Sequence, residues 1–450
     1  MSMDIKISKG VDLKIKGVAD RVYANVPNSK LYAVKPTDFH LLTPKMVVKV
    51  GDIVKAGDVL FYDKNNDLIK FTSPVSGVVQ DILRGSKRKI MQVVIEADAE
   101  IKYSDFTKRD LPSLSKDVII SDLLASGLWP LIRQRPFGTI ANPNDKPKSI
   151  FISAFDSSPL APDNDFIFHG DKDLFQLGLD IISQLSDGKT HLNLDGNSNS
   201  AHAFSNAKGV QINNIYGPHP SGNIGVQIHH IDPINKGDVI WTLSPQDIVA
   251  IARFFRDGKY DASKIIALTG SKVKKPRYYR IIQGVSIIDI ISDNLVEGNK
   301  RFISGNVLTG TRINENGYLG FYDFQISVIT EGNYSEFFGW LMPGFHKYSL
   351  SRTFFSWLSS QKEYDLDSNT HGEERAYVVT GQYESYMPID IFPVHLIKAI
   401  LIEDIELMEN LGIYEVDPED FALCEYACTS KVPVQSIIRR GLDLIKKECS

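Results

Sequence analysis

Between Ser149 and residue 268 the chain alternates short apolar, β-branched stretches with amphipathic ones, and that rhythm constrains the fold more than any other feature. Strand-like runs at 149–155, 190–194, 209–215, 238–243 and 263–268 are separated by helical patterns near 171–185, 221–230 and 245–257. Strands regularly interleaved with helices bury both sheet faces, so the expectation here is an α/β domain with a mainly parallel sheet, Rossmann-like in outline. A dinucleotide would then require a G-x-G-x-x-G turn to let the backbone reach the pyrophosphate. The first strand is followed instead by Asp156-Ser157-Ser158-Pro159-Leu160-Ala161-Pro162-Asp163, which has no glycine. Gly188-Lys189-Thr190 has Ser183 where a phosphate loop needs its first glycine and is followed by a strand, so it reads as a turn.

Upstream, residues 46–80 hold two Gly-Asp turns six residues apart, Gly51-Asp52 and Gly57-Asp58, and then Ser73-Pro74-Val75-Ser76-Gly77-Val78-Val79. Short strands joined by such turns suggest a small β-sandwich. The stretch resembles the biotinyl/lipoyl carrier fold. It departs from the carriers where they present their modified lysine, because Asp67 falls at that spacing and Lys64 lacks the surrounding motif, so a structural use of the fold is expected.

Residues 115–134 read as mostly helical, broken in two by Gly127 and Pro130, with Arg133 to Phe137 just past the helix end. Short strands at 277–282, 301–303 and 320–330 between Gly and Asn turns indicate a small β module. Beyond Ser335 comes an aromatic-laden segment, and from Pro388 to the end the pattern is rich in helical periodicity, with Val434, Ile437, Ile438, Leu442 and Ile445 marking one face of the final helix. The expected organisation is multidomain α/β: an N-terminal β region with the barrel-sandwich module (1–102), a Rossmann-like domain (103–270), a β-grasp, SLBB-like module (271–335) and a largely helical domain (336–450).

Charge and composition exclude several classes of function. With 50 basic and 55 acidic side chains the net charge is −5, which argues against a nucleic-acid-binding chain. Three cysteines, all in the last stretch, do not make a disulfide framework and fit a reducing compartment. The first residues do not form a secretory signal, and the most apolar run, 389–405, is interrupted by six polar or proline positions. Cys424 and Cys428 fall short of the four ligands that a zinc or iron–sulfur site needs, and His219, His229 and His230 lack a metal-binding phrase. Neither a G-x-S-x-G elbow nor a paired acid supports a hydrolase. Two cation–aromatic clusters remain: Arg133, Arg135 and Phe137, and Trp340, Phe345, Tyr348, Arg352 and Phe354. Such pairs can stack a flat ring and donate hydrogen bonds to its carbonyls, or fill an interdomain core.

The phrases Glu374-Arg375-Ala376-Tyr377-Val378-Val379, Gly381 to Ile391, Phe338 to Gly344, Gly217-Pro218-His219-Pro220, Leu131 to Phe137, Ile5 to Gly10 and Pro418 to Cys428 span almost the whole chain. Together they resemble the A subunit of the bacterial Na⁺-translocating NADH:quinone reductase, a family similar to the C subunit of Rnf complexes and to the flavin-bearing NADH subunit of respiratory complex I. The resemblance implies a peripheral subunit on the cytoplasmic face of the inner membrane, working beside an integral-membrane flavoprotein. NADH, FAD or FMN and Fe–S centres would sit on partner subunits, and this chain would carry no covalently bound cofactor. It also implies quinone binding, for which Lys35, Pro36, Arg133, Arg135, Pro136 and Phe137 are the candidate residues, positioning and hydrogen-bonding the head group. The alternatives are a non-catalytic docking scaffold and an FMN- or NADH-binding subunit for electron input.

Overall fold

The computed structural model describes residues 2–24, 29–109, 114–198, 202–339, 341–358 and 363–449. Its centre is a seven-stranded sheet in the order Met3–Lys6, Gln211–Tyr216, Thr190–Asp195, Ser149–Ser153, Ile240–Leu243, Arg133–Arg135, Thr139–Ile140. The first five strands are parallel and the last two antiparallel. Successive side chains of a strand point to opposite faces, and the core divides accordingly. Ile150 and Ile152 pack with Phe175, Leu179, Ile248 and Ile251 of the helices Lys172–Ile182 and Pro245–Asp257. Phe151 and Ile240 face the other way, toward Val226 of the helix Ile224–Ile231 and toward Leu396, Ile400 and Ile438 of the C-terminal helices. Helix Pro245–Asp257 is defined locally: Ser244 and Asp247 form a reciprocal capping box, Pro245 occupies the first turn, and Gly258 closes the end in the left-handed conformation.

The α/β rhythm is therefore realised, with two differences. Ser263–Thr269, which the alternation assigned to the parallel sheet, is a central strand of a separate six-stranded sheet: Thr311–Ile313, Lys300–Ser304, Gln325–Thr330, Ser263–Thr269, Arg277–Ile282, Asp20–Ala24. Its periodicity is that of any buried strand and carries no label for its partner. The second difference concerns 115–134. A single helix, Lys116–Ser126, ends at Gly127 (φ 76°), and Arg133–Arg135 is a strand and not a helix terminus. Of the run 320–330 only Gln325–Thr330 is strand, while Phe321 and Tyr322 lie in the preceding turn.

The barrel-sandwich module consists of a four-stranded sheet (Leu31–Val34, Ile90–Ala97, Gly77–Arg84, Ile53–Val54) and a three-stranded one (Pro44–Met46, Val59–Asp63, Asn66–Thr72). Leu60, Phe61, Phe71, Val79, Val93 and Ile95 fill the space between them. Each Gly-Asp turn is held by its aspartate: Asp52 accepts from the Lys49 amide and Asp58 from the Lys55 amide, both at 2.8 Å. At the hairpin tip the turn residues are Lys64 and Asn65, and Asp67 lies on the returning strand. The helices Pro393–Leu401, Ile405–Asn410, Ala422–Ala427 and Val434–Cys449 form the C-terminal region, with the expected apolar face of the last one buried.

Candidate functional site

In an open parallel sheet, the place where strand order reverses leaves a crevice outside the carboxyl ends of two adjacent strands. Here that point lies between Ser149–Ser153 and Ile240–Leu243, because chain order runs one way to Thr190–Asp195 and Gln211–Tyr216 and the other way to Ile240–Leu243. A cleft of about 250 Å³ sits there. Its walls come from the loop after Ser149–Ser153 (Phe155, Asp156, Ser158), the cap and first turn of helix Pro245–Asp257 (Ser244, Gln246, Asp247), and the residues just before Ile224–Ile231 (Gly222, Asn223). Arg133, His219, Tyr322 and Glu419 complete it.

Arg133 is half-buried, with its guanidinium carbon 5.1 Å from the Tyr322 ring centre. The Tyr322 hydroxyl donates to the Pro130 carbonyl at 2.7 Å, which fixes the ring, and burial drives its pKa upward. Behind it Lys264 donates to the Phe321 carbonyl at 3.0 Å. Burial lowers the Lys264 ammonium to about 8 against the pull of Asp323, Asp247 and Asp38. On the opposite wall Ser157 Oγ lies 3.0 Å from Nδ1 of buried His219 and accepts from the Gly222 amide at 2.7 Å. Burial holds His219 down to about 4, so it is neutral at pH 7. Asp247 is pushed up to about 6 by burial, and burial raises Asp156 as well.

A polar ladder runs from this cleft into the sheet. Gln227 donates to Ser153 Oγ (2.9 Å) and accepts from Asn193 (2.8 Å), whose Oδ1 accepts from Asn213 (2.8 Å). Sequence reasoning missed these residues. Asn193 and Asn213 occupy strand positions where a hydrophobic residue would serve a pure core, and that interruption was the available signal.

The six candidate residues do not share one cavity. Only Arg133 lines the cleft. Arg135 is buried in a carboxylate cluster: it pairs with Asp420 at 2.9 Å, with Glu419, and more loosely with Asp417 at 3.9 Å. Burial opposes its charge, but the three carboxylates outweigh that and raise its pKa. Asp417 also pairs with Arg439 and, at 3.8 Å, with Arg133; burial alone would raise it, and the guanidiniums pull it below the usual range. Pro136 is buried, and Phe137 packs edge-on against Tyr414 with the Lys446 ammonium 5.5 Å from its centre. Lys35 donates to the Tyr318 carbonyl at 3.1 Å and pairs with Asp38 at 3.3 Å, beside a cavity of about 10 Å³ that is too small for a ring. Pro36 opens the short helix Pro36–Asp38. In the second aromatic cluster Lys347 lies 5.4 Å from the Phe354 ring centre, Phe345 and Arg352 are exposed, and Trp340 falls outside the described residues.

Gly225 lets the helix Ile224–Ile231 lie against the Arg135 cluster, since a Cβ there would meet Asp420 Oδ2 at 2.5 Å and Arg135 Nη1 at 2.8 Å. Gly225→Ala is accordingly expected to lower the thermal unfolding midpoint by several degrees, the typical effect of about 1–3 kcal/mol of overpacking; an unchanged melt by circular dichroism would contradict this packing.

His229 is held by Glu415 (2.6 Å) and the Asp390 amide (3.1 Å), and His230 Nδ1 meets the Val226 carbonyl at 2.9 Å. Cys424 and Cys428 are buried free thiols. Among the described residues no cluster of His, Cys, Asp or Glu could hold a metal ion, and no helix is long and apolar enough to cross a membrane.

Three family models match in succession: the NqrA N-terminal barrel-sandwich hybrid domain over 5–98, the NqrA second alpha/beta domain over 114–260, and the NQRA C-terminal domain, an SLBB model, over 265–315. The A subunit of the Na(+)-translocating NADH-quinone reductase of Klebsiella pneumoniae is 38% identical over 448 residues, covering 99% of this chain and 100% of that one. The chain belongs to that A-subunit family. The A subunits of Psychromonas ingrahamii (39% over 447 residues, 99% and 100% covered) and of Marinomonas sp. (36% over 446 residues, 98% and 99% covered) are similar throughout as well. Membership makes the chain one subunit of an oxidoreductase complex, and the barrel-sandwich, α/β and SLBB modules expected from the sequence are those of the family. Within it the cleft has its own chemistry. Asp156 and Asp247 line it beside Arg133, Glu419 is already paired with Arg135, and its volume lies below the roughly 300–1,000 Å³ of most ligand pockets. A single substituted ring suits it better than a dinucleotide.

Proposed function

We propose that the switch-point cleft holds the head group of a quinone, within a complex that couples NADH oxidation and quinone reduction to sodium export. The observation that carries the reading is the Arg133 guanidinium stacked on a Tyr322 ring that is itself pinned by Pro130, at the wall of a ring-sized cleft. A quinone offers two carbonyl acceptors on a flat apolar ring. Arg133 supplies donors and a positive charge for an oxygen that gains electron density on reduction. Asp247, raised to about 6, can hold a proton near neutral pH beside the same space. Reduction to the quinol takes two electrons and two protons; reduced flavin on a neighbouring subunit is the electron source in this reading, and an integral-membrane flavoprotein on the cytoplasmic side is the neighbour.

Titrating the purified chain with a short-chain benzoquinone, read by tryptophan fluorescence, tests this. Arg133→Ala is expected to weaken binding about tenfold, the loss of about 1.4 kcal/mol. Phe137→Ala is expected to leave the affinity unchanged, because that ring packs against Tyr414 outside the cleft. Unchanged binding by Arg133→Ala would sink the proposal.

A further inference from the structure

The segment 337–358 places large apolar side chains in solvent, with Phe337 89%, Leu341 67% and Leu358 65% exposed and Met342, Phe345 and Trp357 more than half exposed. Exposed apolar patches of this kind mark sites of association. The composition is also unusual: from residue 337 to 362 there is no Asp or Glu in a chain whose net charge is −5. Lys347 is matched by Glu336, whereas exposed Arg352 makes no ion pair among the described residues. Lys14 and Lys16 add charge at the margin, because Ile15 bridges to Tyr364, with the Tyr364 amide donating to Lys14 O at 2.8 Å and the Lys16 amide to Tyr364 O at 2.9 Å. Both lysines are exposed and make no ion pair among the described residues. Aromatic residues, Met and Arg in the absence of acids are the composition of a protein–protein interface core.

We infer that segment 337–358 is the surface by which this chain docks onto a neighbouring subunit of its complex, through a partner face that is apolar at its centre and acidic at its rim. Charge selects this occupant over a second copy of the chain, which would bring Arg352, Lys14 and Lys16 against their own like. Backbone selects it over a bilayer. Apart from the short 3₁₀ turn Phe355–Leu358 the described residues of the segment have no regular structure; turn bonds such as Leu341 to Phe338, Lys347 to Gly344 and Phe355 to Pro343 satisfy some of their amides and carbonyls, and the rest need partners that a protein surface offers and hydrocarbon does not. The inference rests on membership in a multisubunit family and not on quinone binding.

The test uses the complex stripped of its A subunit, titrated with the purified chain. A triple variant, Phe337→Ser with Leu341→Ser and Leu358→Ser, is expected to bind at least tenfold more weakly. Charge reversal by Arg352→Glu with Lys14→Glu and Lys16→Glu changes no packed side chain and is expected to do the same, with a smaller loss at high salt. Both variants are expected to keep the wild-type melting midpoint and short-chain quinone affinity. Wild-type affinity of the charge-reversal variant for the stripped complex would overturn the proposal. So would binding of the wild-type chain to phosphatidylcholine–phosphatidylglycerol vesicles as tightly as to the stripped complex.

Discussion

Arg135→Ala is expected to destabilise the protein by about 3–5 kcal/mol, the cost of leaving buried carboxylates without their counter-charge. Arg135 is 3% exposed and its side chain meets Asp420, Glu419 and Asp417. Asp420 is 1% exposed; its Oδ2 accepts from Arg135 and from the Asp417 amide, and its buried Oδ1 has no hydrogen-bond partner among the described residues, so Arg135 is the cation closest to that charge. Removing the guanidinium strands that charge between the edge strand Arg133–Arg135 and the helical region beginning at Pro418–Phe421, the junction that holds the C-terminal helices to the sheet. Because the loss comes from an unpaired anion, Asp420→Asn added to Arg135→Ala is expected to recover part of it. Thermal and urea unfolding of the two variants measure this. Equal stability of Arg135→Ala and wild type would contradict a structural role and return Arg135 to the ligand-binding candidates.

The second large effect depends on pH. An unperturbed histidine takes its proton near 6.5, whereas buried His219 does so only at about 4. Between those values the unfolded chain binds the extra proton, so this residue makes folding less favourable as pH falls, by about 1.4 kcal/mol per pH unit. His219→Asn removes the titration and retains an acceptor for Ser157. It is expected to be somewhat less stable than wild type at pH 7, from lost packing, and to gain on wild type by about 3 kcal/mol by pH 4. The comparison must be made between variant and wild type, because Asp247, raised from 3.8 to about 6, works in the opposite direction over the same range. A stability difference that stays flat from pH 7 to 4.5 in urea unfolding would show that His219 titrates normally.

Local pattern made much of this fold readable. The helices Lys172–Ile182, Pro245–Asp257 and Val434–Cys449 follow from their apolar spacing, the second also from its caps, and the barrel-sandwich from its Gly-Asp turns. Strand partners were not readable. Met3–Lys6 pairs with Gln211–Tyr216, and Asp20–Ala24 with Arg277–Ile282, across more than 200 residues that no local signal spans. The site divided in the same way. Arg133 stood out as a cation near aromatic residues, but Tyr322, on which it stacks, and Asp417 to Asp420, which claim Arg135, are brought to it by tertiary folding alone. The phrase Asp417-Pro418-Glu419-Asp420 is itself a legible capping box, which explains its local shape but not that an arginine 285 positions away would need it.

Hydrogen exchange of the isolated chain with and without a saturating short-chain benzoquinone tests the cleft most directly. The expected result is slowed amide exchange in residues 153–158, 219–225 and 242–247, the three segments that line the cleft at the strand-order reversal. Protection confined to the loop around Lys35 or to the contact of Phe137 with Tyr414, with the cleft segments unchanged, would contradict it.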